Sequence, residues 1–201
     1  MLIGITGKAG AGKDSVANIL VDRYGFKRYA FADAVRDVAL SINPIIMTNW
    51  QADERSGKLR LCDARLADYV EVHGWDWSKR NIPEIRRLLQ VIGTEAGRQV
   101  MGENVWVDII VNKYVNDGYP NGVVTDMRFP NEFEAIADNL DECTLKVVRP
   151  NNPDAIEAKH SSEQYDFDTR YTIMNDGTLE DLGKAVDDFL IEATYDDRFT
   201  V

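Results

Sequence analysis

The sequence predicts an α/β protein in which helices cover both faces of a parallel central sheet. Short apolar runs alternate with stretches whose apolar residues recur every three to four positions, as strands alternating with helices do. A glycine-rich turn joins the first predicted strand to the first helix. With 201 residues and 44% hydrophobic content, the chain can bury one sizeable core. We therefore predict a single domain over residues 1–201.

The predicted elements follow from periodicity and from the positions of proline and glycine. Pro44 ends the second helix because proline cannot continue a helix, and Pro83 suits the first turn of the third. Gly93 or Gly97 is expected to interrupt that third helix. Residues 44–82 have no clean period and are interpreted as a helical insertion. Strands are predicted at 2–6, 26–31, 123–126, 144–148 and 171–174, and helices at 15–21, 34–42, 83–101, 105–115, 131–140, 161–165 and 178–193.

The charge distribution excludes some classes of partner. The chain has 23 basic and 34 acidic residues, and residues 129–201 carry 18 acids against 6 bases. A protein that binds extended nucleic acid must neutralise many phosphates, so we expect no polymeric nucleic acid as a partner.

No apolar run reaches the roughly 18 residues of a membrane span, and the first residues lack the pattern of a secretory signal. We expect a cytoplasmic protein without membrane association.

Residues 7–15, Gly-Lys-Ala-Gly-Ala-Gly-Lys-Asp-Ser, contain the Gly-x-x-x-x-Gly-Lys spacing of a phosphate-binding loop. Glycines let successive backbone N–H groups point into a concavity that holds a polyphosphate, and the following helix adds its positive N-terminal end. Lys13 supplies a mobile cation for the β- and γ-phosphates. The alternative is a plain strand-to-helix turn, which the strand before and the helix after the motif disfavour. We therefore predict a nucleotide site at this turn.

Asp14 occupies the position at which such loops usually have Ser or Thr as a magnesium ligand. A carboxylate is a hard oxygen ligand that suits Mg²⁺, and a negative charge near a helix N-terminus is favourable. Two assignments stay open: Asp14 takes part in the metal shell, or Ser15 supplies a hydroxyl ligand. A third is a helix-start charge without a metal role. Under either of the first two assignments, Mg²⁺ is a cofactor.

A second constellation follows the predicted strand at 123–126. Asp126 ends that strand, where it could orient magnesium, accept a proton or hold a substrate hydroxyl. Arg128, two residues later, could clamp a phosphate with its planar fork of donors. The alternative is a salt bridge in a surface turn. The pairing with the glycine-rich loop favours the functional interpretation.

Two adjacent arginines on the third helix cannot both face one small ligand. Neighbouring helical residues point about 100° apart, and we favour Arg87 over Arg86 for the site. Arg36 and Arg65 are further candidates with surface positions as the alternative. For Trp106, stacking on a base and packing in a helix core both stay open.

Several segments occur in an order that resembles the bacteriophage deoxynucleoside monophosphate kinases. The unusual aspartate after the loop lysine is among them, and the resemblance runs through nearly the whole chain, fading over residues 44–82. The matching segments are Gly12–Ser15, Arg86–Gln90, Gly93–Thr94, Trp106, Val124–Arg128, Val147–Pro150, His160 and Asn175–Gly177.

The resemblance implies the three-layer P-loop kinase fold, with a parallel central sheet, a helical monophosphate-binding insertion at about 44–82 and a lid at about 151–165. It implies transfer of the γ-phosphoryl group from ATP to a deoxynucleoside 5′-monophosphate, with Mg²⁺. The alternative is a P-loop kinase for another small acceptor, such as dephospho-coenzyme A. A homodimer is left open. A guanine-reading switch is disfavoured because residues 112–115, Asn-Lys-Tyr-Val, lack the final acid of Asn-Lys-x-Asp.

The resemblance also implies roles for individual residues. The ATP phosphates would be held by Gly10, Ala11, Gly12, Lys13, Asp14, Ser15 and Val16. The deoxynucleotide pocket would be lined by Ala9, Arg36, Arg65, Arg87, Gly93, Thr94, Trp106, Asp126, Arg128 and Glu132. Residues 149–150 and 175–177 would lie near the adenine of ATP. The catalytic candidates are Lys13, Arg128 and Arg87, whose positive charge would offset the approach of two anions, together with Asp126.

Overall fold

The computed structural model of the protein describes residues 1–52, 58–139, 143–150, 152 and 166–195. The chain divides into two compact units. Unit 1 comprises Met1–Phe31 and Val107–Val201, and unit 2 comprises Ala32–Trp106. The predicted insertion at 44–82 lies within unit 2. The predicted lid at 151–165, with its helix at 161–165 and His160, lies outside the described residues except for Asn152.

The described residues form seven strands, seven α-helices and two π-helical stretches. The strands are β1 (Leu2–Thr6), β2 (Lys27–Tyr29), β3 (Ile45–Ala52), β4 (Leu59–Arg65), β5 (Gly122–Val124), β6 (Cys143–Val148) and β7 (Tyr171–Met174). The helices are α1 (Lys13–Tyr24), α2 (Phe31–Ile42), α3 (Leu66–Asn81), α4 (Pro83–Gln90), α5 (Val105–Asn116), α6 (Pro130–Glu134) and α7 (Leu179–Tyr195). Two π-helical stretches, Val91–Met101 and Ala135–Asn139, continue α4 and α6. No helix among these is long and apolar enough to cross a membrane.

Unit 1 contains a five-stranded parallel sheet in the order β2-β5-β1-β6-β7. The central strand, β1, pairs with β5 on one side and β6 on the other, with Gly4 opposite both Val124 and Thr144. Parallel strands need crossover connections, and helices lie between β1 and β2 and between β5 and β6. The carboxyl ends of β1 and β5 therefore lie side by side, which brings the loops after these strands to one edge of the sheet.

Helices cover both faces of this sheet. Ile3 and Ile5 of β1 belong to a core that also contains residues of α1 and α7. Leu2 belongs to a second core, formed with residues of α5 and of the π-helical stretch Ala135–Asn139. Successive strand residues point to opposite faces, so this division is what a sheet buried on both sides requires. The predicted parallel sheet and its three layers are confirmed.

Gly4 of β1 is a point of close approach on the second face. A Cβ atom there would lie 2.9 Å from Ile136 Cδ1 and 3.1 Å from Met127 Sδ. Met127 is 2% exposed and follows β5 in the chain. The missing side chain at position 4 therefore lets the segment after β5 rest directly on the central strand.

Unit 2 contains a β-hairpin and helices. Strands β3 and β4 pair antiparallel, with Trp50 opposite Leu61. The prediction of helix for the insertion is confirmed for Leu66–Asn81 and wrong for Ile45–Ala52 and Leu59–Arg65. All residues of β3 and β4 are exposed or only partly buried. Strands without a buried face do not need the alternation of apolar and polar residues by which a half-buried strand is predicted.

The predicted helix at 83–101 is present but does not break at either glycine. It is α-helical to Gln90 and π-helical from Val91 to Met101. Gly97 instead marks close packing, because a Cβ atom there would lie 2.4 Å from Cζ2 of Trp106. The predicted helix at 131–140 is likewise composed of α6 and a π-helical stretch to Asn139. Glycine at position 97 serves packing rather than termination.

Candidate active site

The loop between β1 and α1 has the backbone of a phosphate-binding turn. Gly7, Gly10 and Gly12 have φ values of 144°, 72° and 102°, which side chains with a Cβ atom rarely adopt. The N–H of Ala11 donates to the carbonyl oxygen of Lys8 at 3.1 Å, which closes the turn. A series of glycines at such angles turns neighbouring N–H groups toward a common point, where an anion can bind.

Lys13 folds back over this loop. Its Nζ atom donates to the carbonyl oxygens of Gly7 at 2.6 Å and Lys8 at 3.0 Å. The ammonium group is therefore held at the loop by weak neutral acceptors. Phosphate oxygens are stronger acceptors for such a cation because the hydrogen bond is then charge-assisted. The position suits a lysine that exchanges carbonyl contacts for phosphate contacts.

Asp14 forms an ion pair that sequence reasoning missed. Arg28 of β2 donates through Nη2 to Asp14 Oδ1 at 2.5 Å and to Thr125 Oγ1 at 3.2 Å. Arg28 thereby links the start of α1 to the end of β5. Strand order alone brings these residues together, so no local pattern in the sequence signals the contact. The guanidinium offsets the carboxylate charge beside a loop suited to anions.

The chemistry of positions 14 and 15 fits a magnesium ion. A carboxylate and a hydroxyl are hard oxygen donors, and Mg²⁺ needs only one or two of them because it keeps waters and substrate phosphates as its other ligands. Within the described parts of the chain there is no group of three or more His, Cys, Asp or Glu side chains that could hold a metal. Such a group is needed for an all-protein cage and not for a phosphate-bound Mg²⁺.

Asp126 lies one residue beyond Thr125, at the end of β5. Its Oδ1 atom accepts the backbone N–H of Phe31, the first residue of α2, at 2.9 Å. A carboxylate in this position accepts a hydrogen bond from an N–H group at the helix start, and its negative charge is attracted to the positive end of the helix. The prediction placed Asp126 in the substrate pocket; the structure adds a contact that fixes the direction of its carboxylate.

Glu132 holds the backbone beside Arg128. It is 2% exposed, and its Oε2 atom accepts the N–H of Arg128 at 2.7 Å and that of Phe129 at 3.0 Å. Glu at the third position of α6 with Pro130 at the first is a helix-start signature, and this signal could have indicated the contact. Glu132 was predicted in the pocket, and here its carboxylate orients the segment that carries Arg128.

We expect Glu132→Ala to lower the free energy of unfolding by about 3 kcal/mol, because two backbone N–H groups lose a buried charged acceptor. Urea unfolding measures this change. Glu132→Gln keeps an acceptor oxygen of the same reach and is the matched control, with a smaller expected loss. Equal stability of the alanine variant and the wild type would contradict the assigned role.

Unit 2 contains the remaining predicted arginines, each with a local partner. Arg36 Nη1 contacts Asp33 Oδ1 at 2.9 Å, and Arg65 Nη1 donates to the carbonyl oxygen of Asn43 at 2.9 Å. Arg87 donates to both carboxylate oxygens of Glu84, at 3.0 and 2.7 Å. These hydrogen bonds lower the pKa of Glu84. The Arg87 pair is exposed, and an exposed pair contributes little to stability.

Trp106 lies in the core of unit 2, which agrees with the core interpretation. It is 3% exposed, and its Nε1–H donates to the carbonyl oxygen of Gly93 at 2.8 Å. The ring therefore has almost no surface on which a base could stack. The hydrogen bond of Trp106 holds the carbonyl of Gly93, and the neighbouring Thr94 is exposed.

The predicted residues thus fall into two groups, each within one unit. Unit 1 brings the loop residues together with the segment after β5, since β1 and β5 are neighbours. That group comprises Ala9, Gly10, Ala11, Gly12, Lys13, Asp14, Ser15, Val16, Asp126, Arg128 and Glu132. The group in unit 2 comprises Arg36, Arg65, Arg87, Gly93, Thr94 and Trp106.

Comparison with known proteins identifies relatives of the chain. A deoxynucleoside-5′-monophosphate kinase of Escherichia phage T5 is 25% identical, and the match covers 81% of this chain and 84% of the relative. A protein of Acanthamoeba polyphaga mimivirus, provisionally named a deoxynucleotide monophosphate kinase, is 24% identical, with 90% of this chain and 91% of the relative covered.

A solved structure is also similar. A dephospho-CoA kinase from Campylobacter jejuni matches with a TM-score of 0.47 and 12% identity, over 96% of both chains.

The family model for deoxynucleotide monophosphate kinase matches residues 61–186, which is more than half of the chain. The chain therefore belongs to the deoxynucleotide monophosphate kinase family.

Proposed function

We propose that this protein transfers the γ-phosphoryl group of ATP to a deoxynucleoside 5′-monophosphate, giving ADP and a deoxynucleoside diphosphate. The observation that carries the proposal is the loop between β1 and α1, with its left-handed glycines and with Lys13 folded over it. Membership of a family of kinases and the name of the phage T5 relative support the same reaction.

The donor nucleotide binds at this loop in the proposal. Backbone N–H groups of Gly10 and of residues 12–15 hold the phosphates, and the N-terminal end of α1 adds its positive potential. Ala11 and Val16 were also predicted to hold phosphate, but their N–H groups already donate to the carbonyl oxygens of Lys8 and Gly12. Lys13 leaves the carbonyl oxygens of Gly7 and Lys8 for the phosphate oxygens. Each contact becomes stronger as negative charge moves toward the leaving oxygen, so the loop favours the transition state over the bound ATP.

Asp14 and Ser15 are the proposed holders of Mg²⁺. A bound Mg²⁺ would neutralise charge on the β- and γ-phosphate oxygens. Because the Asp14 carboxylate is paired with Arg28, the Ser15 hydroxyl would hold the ion, and Asp14 would add its negative charge beside it. Arg28 also limits the repulsion between this carboxylate and the nucleotide phosphates.

The acceptor needs positive charge rather than a strong base. Its phosphate oxygen is already anionic at neutral pH, so the main obstacle is the approach of two anions. The proposed partners of the acceptor phosphate are the arginines that the family resemblance assigns to the deoxynucleotide, namely Arg36, Arg65, Arg87 and Arg128. The fork of an arginine can hold two phosphate oxygens at once, which also orients the attacking oxygen.

The test is an ADP-release assay on the purified protein with ATP and Mg²⁺. The acceptors are the four deoxynucleoside monophosphates, the four ribonucleoside monophosphates and dephospho-coenzyme A. We expect turnover with one or more of the deoxynucleotides and none with dephospho-coenzyme A. Absence of turnover with all four deoxynucleotides would refute the proposal, and turnover with dephospho-coenzyme A alone would establish the alternative acceptor.

Arg87→Ala is expected to raise KM for the deoxynucleotide by about 10-fold or more, because a charge-assisted hydrogen bond to phosphate is lost. KM for ATP should stay close to that of the wild type. Steady-state kinetics with each substrate varied in turn measures both values.

Arg86→Ala is the matched control for this variant. Arg86 is the neighbouring exposed arginine on α4 and points about 100° away from Arg87. Its replacement removes the same charge and should leave both KM values unchanged. A change in KM for ATP alone in Arg87→Ala would mean that Arg87 is assigned to the wrong substrate.

A further inference from the structure

Asn175, a residue distant in the sequence, contacts the glycine-rich loop between β1 and α1. It follows β7, and its backbone N–H donates to the carbonyl oxygen of Val148 at 2.7 Å, which fixes the residue at the end of β6. Its side-chain Nδ2 atom donates to the carbonyl oxygen of Ala11 at 2.8 Å. Asn175 is only half-buried, but both ends of the residue are therefore anchored, one to the sheet and one to the loop.

The carbonyl that Asn175 holds belongs to the peptide between Ala11 and Gly12. In a trans peptide the C=O and N–H groups are coplanar and point in opposite directions. A hydrogen bond that fixes the Ala11 carbonyl on the outside of the turn therefore directs the N–H of Gly12 to the other side. That N–H is one of the groups proposed to bind phosphate.

Glycine at position 12 explains both why the Ala11 carbonyl needs the hydrogen bond from Asn175 and why Asn175 can approach it. Its φ of 102° lies in a region that only glycine reaches easily, and glycine also has other accessible conformations. The adjoining peptide can therefore rotate unless a neighbour holds it. A Cβ atom at position 12 would lie 2.3 Å from Nδ2 of Asn175, so the amide could not approach any other residue type as closely.

The same arrangement occurs two residues earlier in the loop. Nδ2 of Asn152 donates to the carbonyl oxygen of Ala9 at 2.5 Å, on the peptide that precedes Gly10. Two asparagine amides thus hold alternate carbonyls, each immediately before a glycine with positive φ. The repetition indicates that both asparagines have the same role, which is to orient the N–H groups of Gly10 and Gly12.

We infer that Asn175 is a positioning residue for the phosphate-binding loop, which acts by holding the Ala11 carbonyl and so directing the Gly12 N–H toward the nucleotide phosphates. The inference rests on the proposed function, because it assigns a purpose to the loop. It also differs from the expectation that residues 175–177 lie near adenine, since the ligand group concerned here is the polyphosphate.

The test compares binding of ATP and of inorganic tripolyphosphate, which has no adenine, by calorimetry with wild-type protein, Asn175→Ala and Asn175→Asp. Loss of one oriented donor should weaken binding of both ligands by a similar factor, about 10-fold for alanine. Aspartate has the same shape but no donor at neutral pH, and its charge should weaken binding of both ligands further. Asn112→Ala, an exposed change on α5, is the control.

Each other outcome overturns the inference in a distinct way. Weaker binding of ATP with unchanged binding of tripolyphosphate would make Asn175 an adenine contact. A lower Tm with unchanged binding of both ligands would make it a structural residue only. If wild-type protein binds neither ligand, the proposed function fails as well. If wild type binds both ligands and Asn175→Ala binds them equally well, only this inference fails.

Discussion

Lys13→Ala is expected to reduce kcat/KM for phosphoryl transfer by about 10³-fold or more, while the fold remains intact. The Lys13 ammonium is held at the loop by the carbonyl oxygens of Gly7 and Lys8. Its loss removes a positive charge from the oxygens on which charge develops, where the effect on the transition state is largest.

Steady-state kinetics measures this effect, and circular dichroism confirms that the variant is folded. Lys184→Ala is the matched control, since Lys184 is an exposed lysine on α7 whose partner is Glu180. Its removal changes the net charge equally and should leave kcat/KM unchanged. Near-normal turnover in folded Lys13→Ala would show that residues 7–15 form an ordinary turn.

Arg128→Ala should have the second largest effect, a loss of about 10²- to 10³-fold in kcat. Arg128 is exposed at the carboxyl end of the sheet, and the buried Glu132 carboxylate fixes its backbone N–H. An arginine placed by a rigid backbone can stabilise charge on the transferring group without the cost of ordering a mobile loop. The effect should fall on kcat more than on KM, because the charge is greatest in the transition state.

Arg128→Lys distinguishes charge from geometry at this position. Lysine keeps the charge but lacks the planar fork, so we expect partial recovery of kcat relative to alanine. A thermal unfolding measurement should show little change for either variant, since the side chain is exposed. An Arg128→Ala enzyme with wild-type kcat would place the residue outside the reaction, as a surface arginine.

How far the sequence determines these conclusions depends on whether each contact is local. The turn from Gly7 to Gly12 could be predicted, because its backbone angles, its lysine and its flanking elements are encoded within about 20 consecutive positions. The helix start at Glu132 was readable in the same way, from Pro130 and the acid two residues later. Motifs of this kind need no knowledge of the tertiary structure.

Contacts set by strand order could not be predicted. Arg28 reaches both Asp14 and Thr125 only because β2 lies beside β5 in the sheet. Asn175, immediately after β7, contacts Ala11 although the two residues are 164 positions apart in the chain. The hairpin of β3 and β4 was missed for another reason, since neither of its faces is buried and such strands do not need the usual alternation of apolar and polar residues.

The bare backbone at Gly4 has a consequence for the reactive edge of the sheet. The sulfur atom of Met127, the residue between Asp126 and Arg128, lies 3.1 Å from the position that a Cβ atom at residue 4 would occupy. The orientation of these two charged side chains thus depends on how the buried residue between them packs against the central strand. A side chain added at position 4 would therefore disturb both the packing of the core and the placement of these two charged groups.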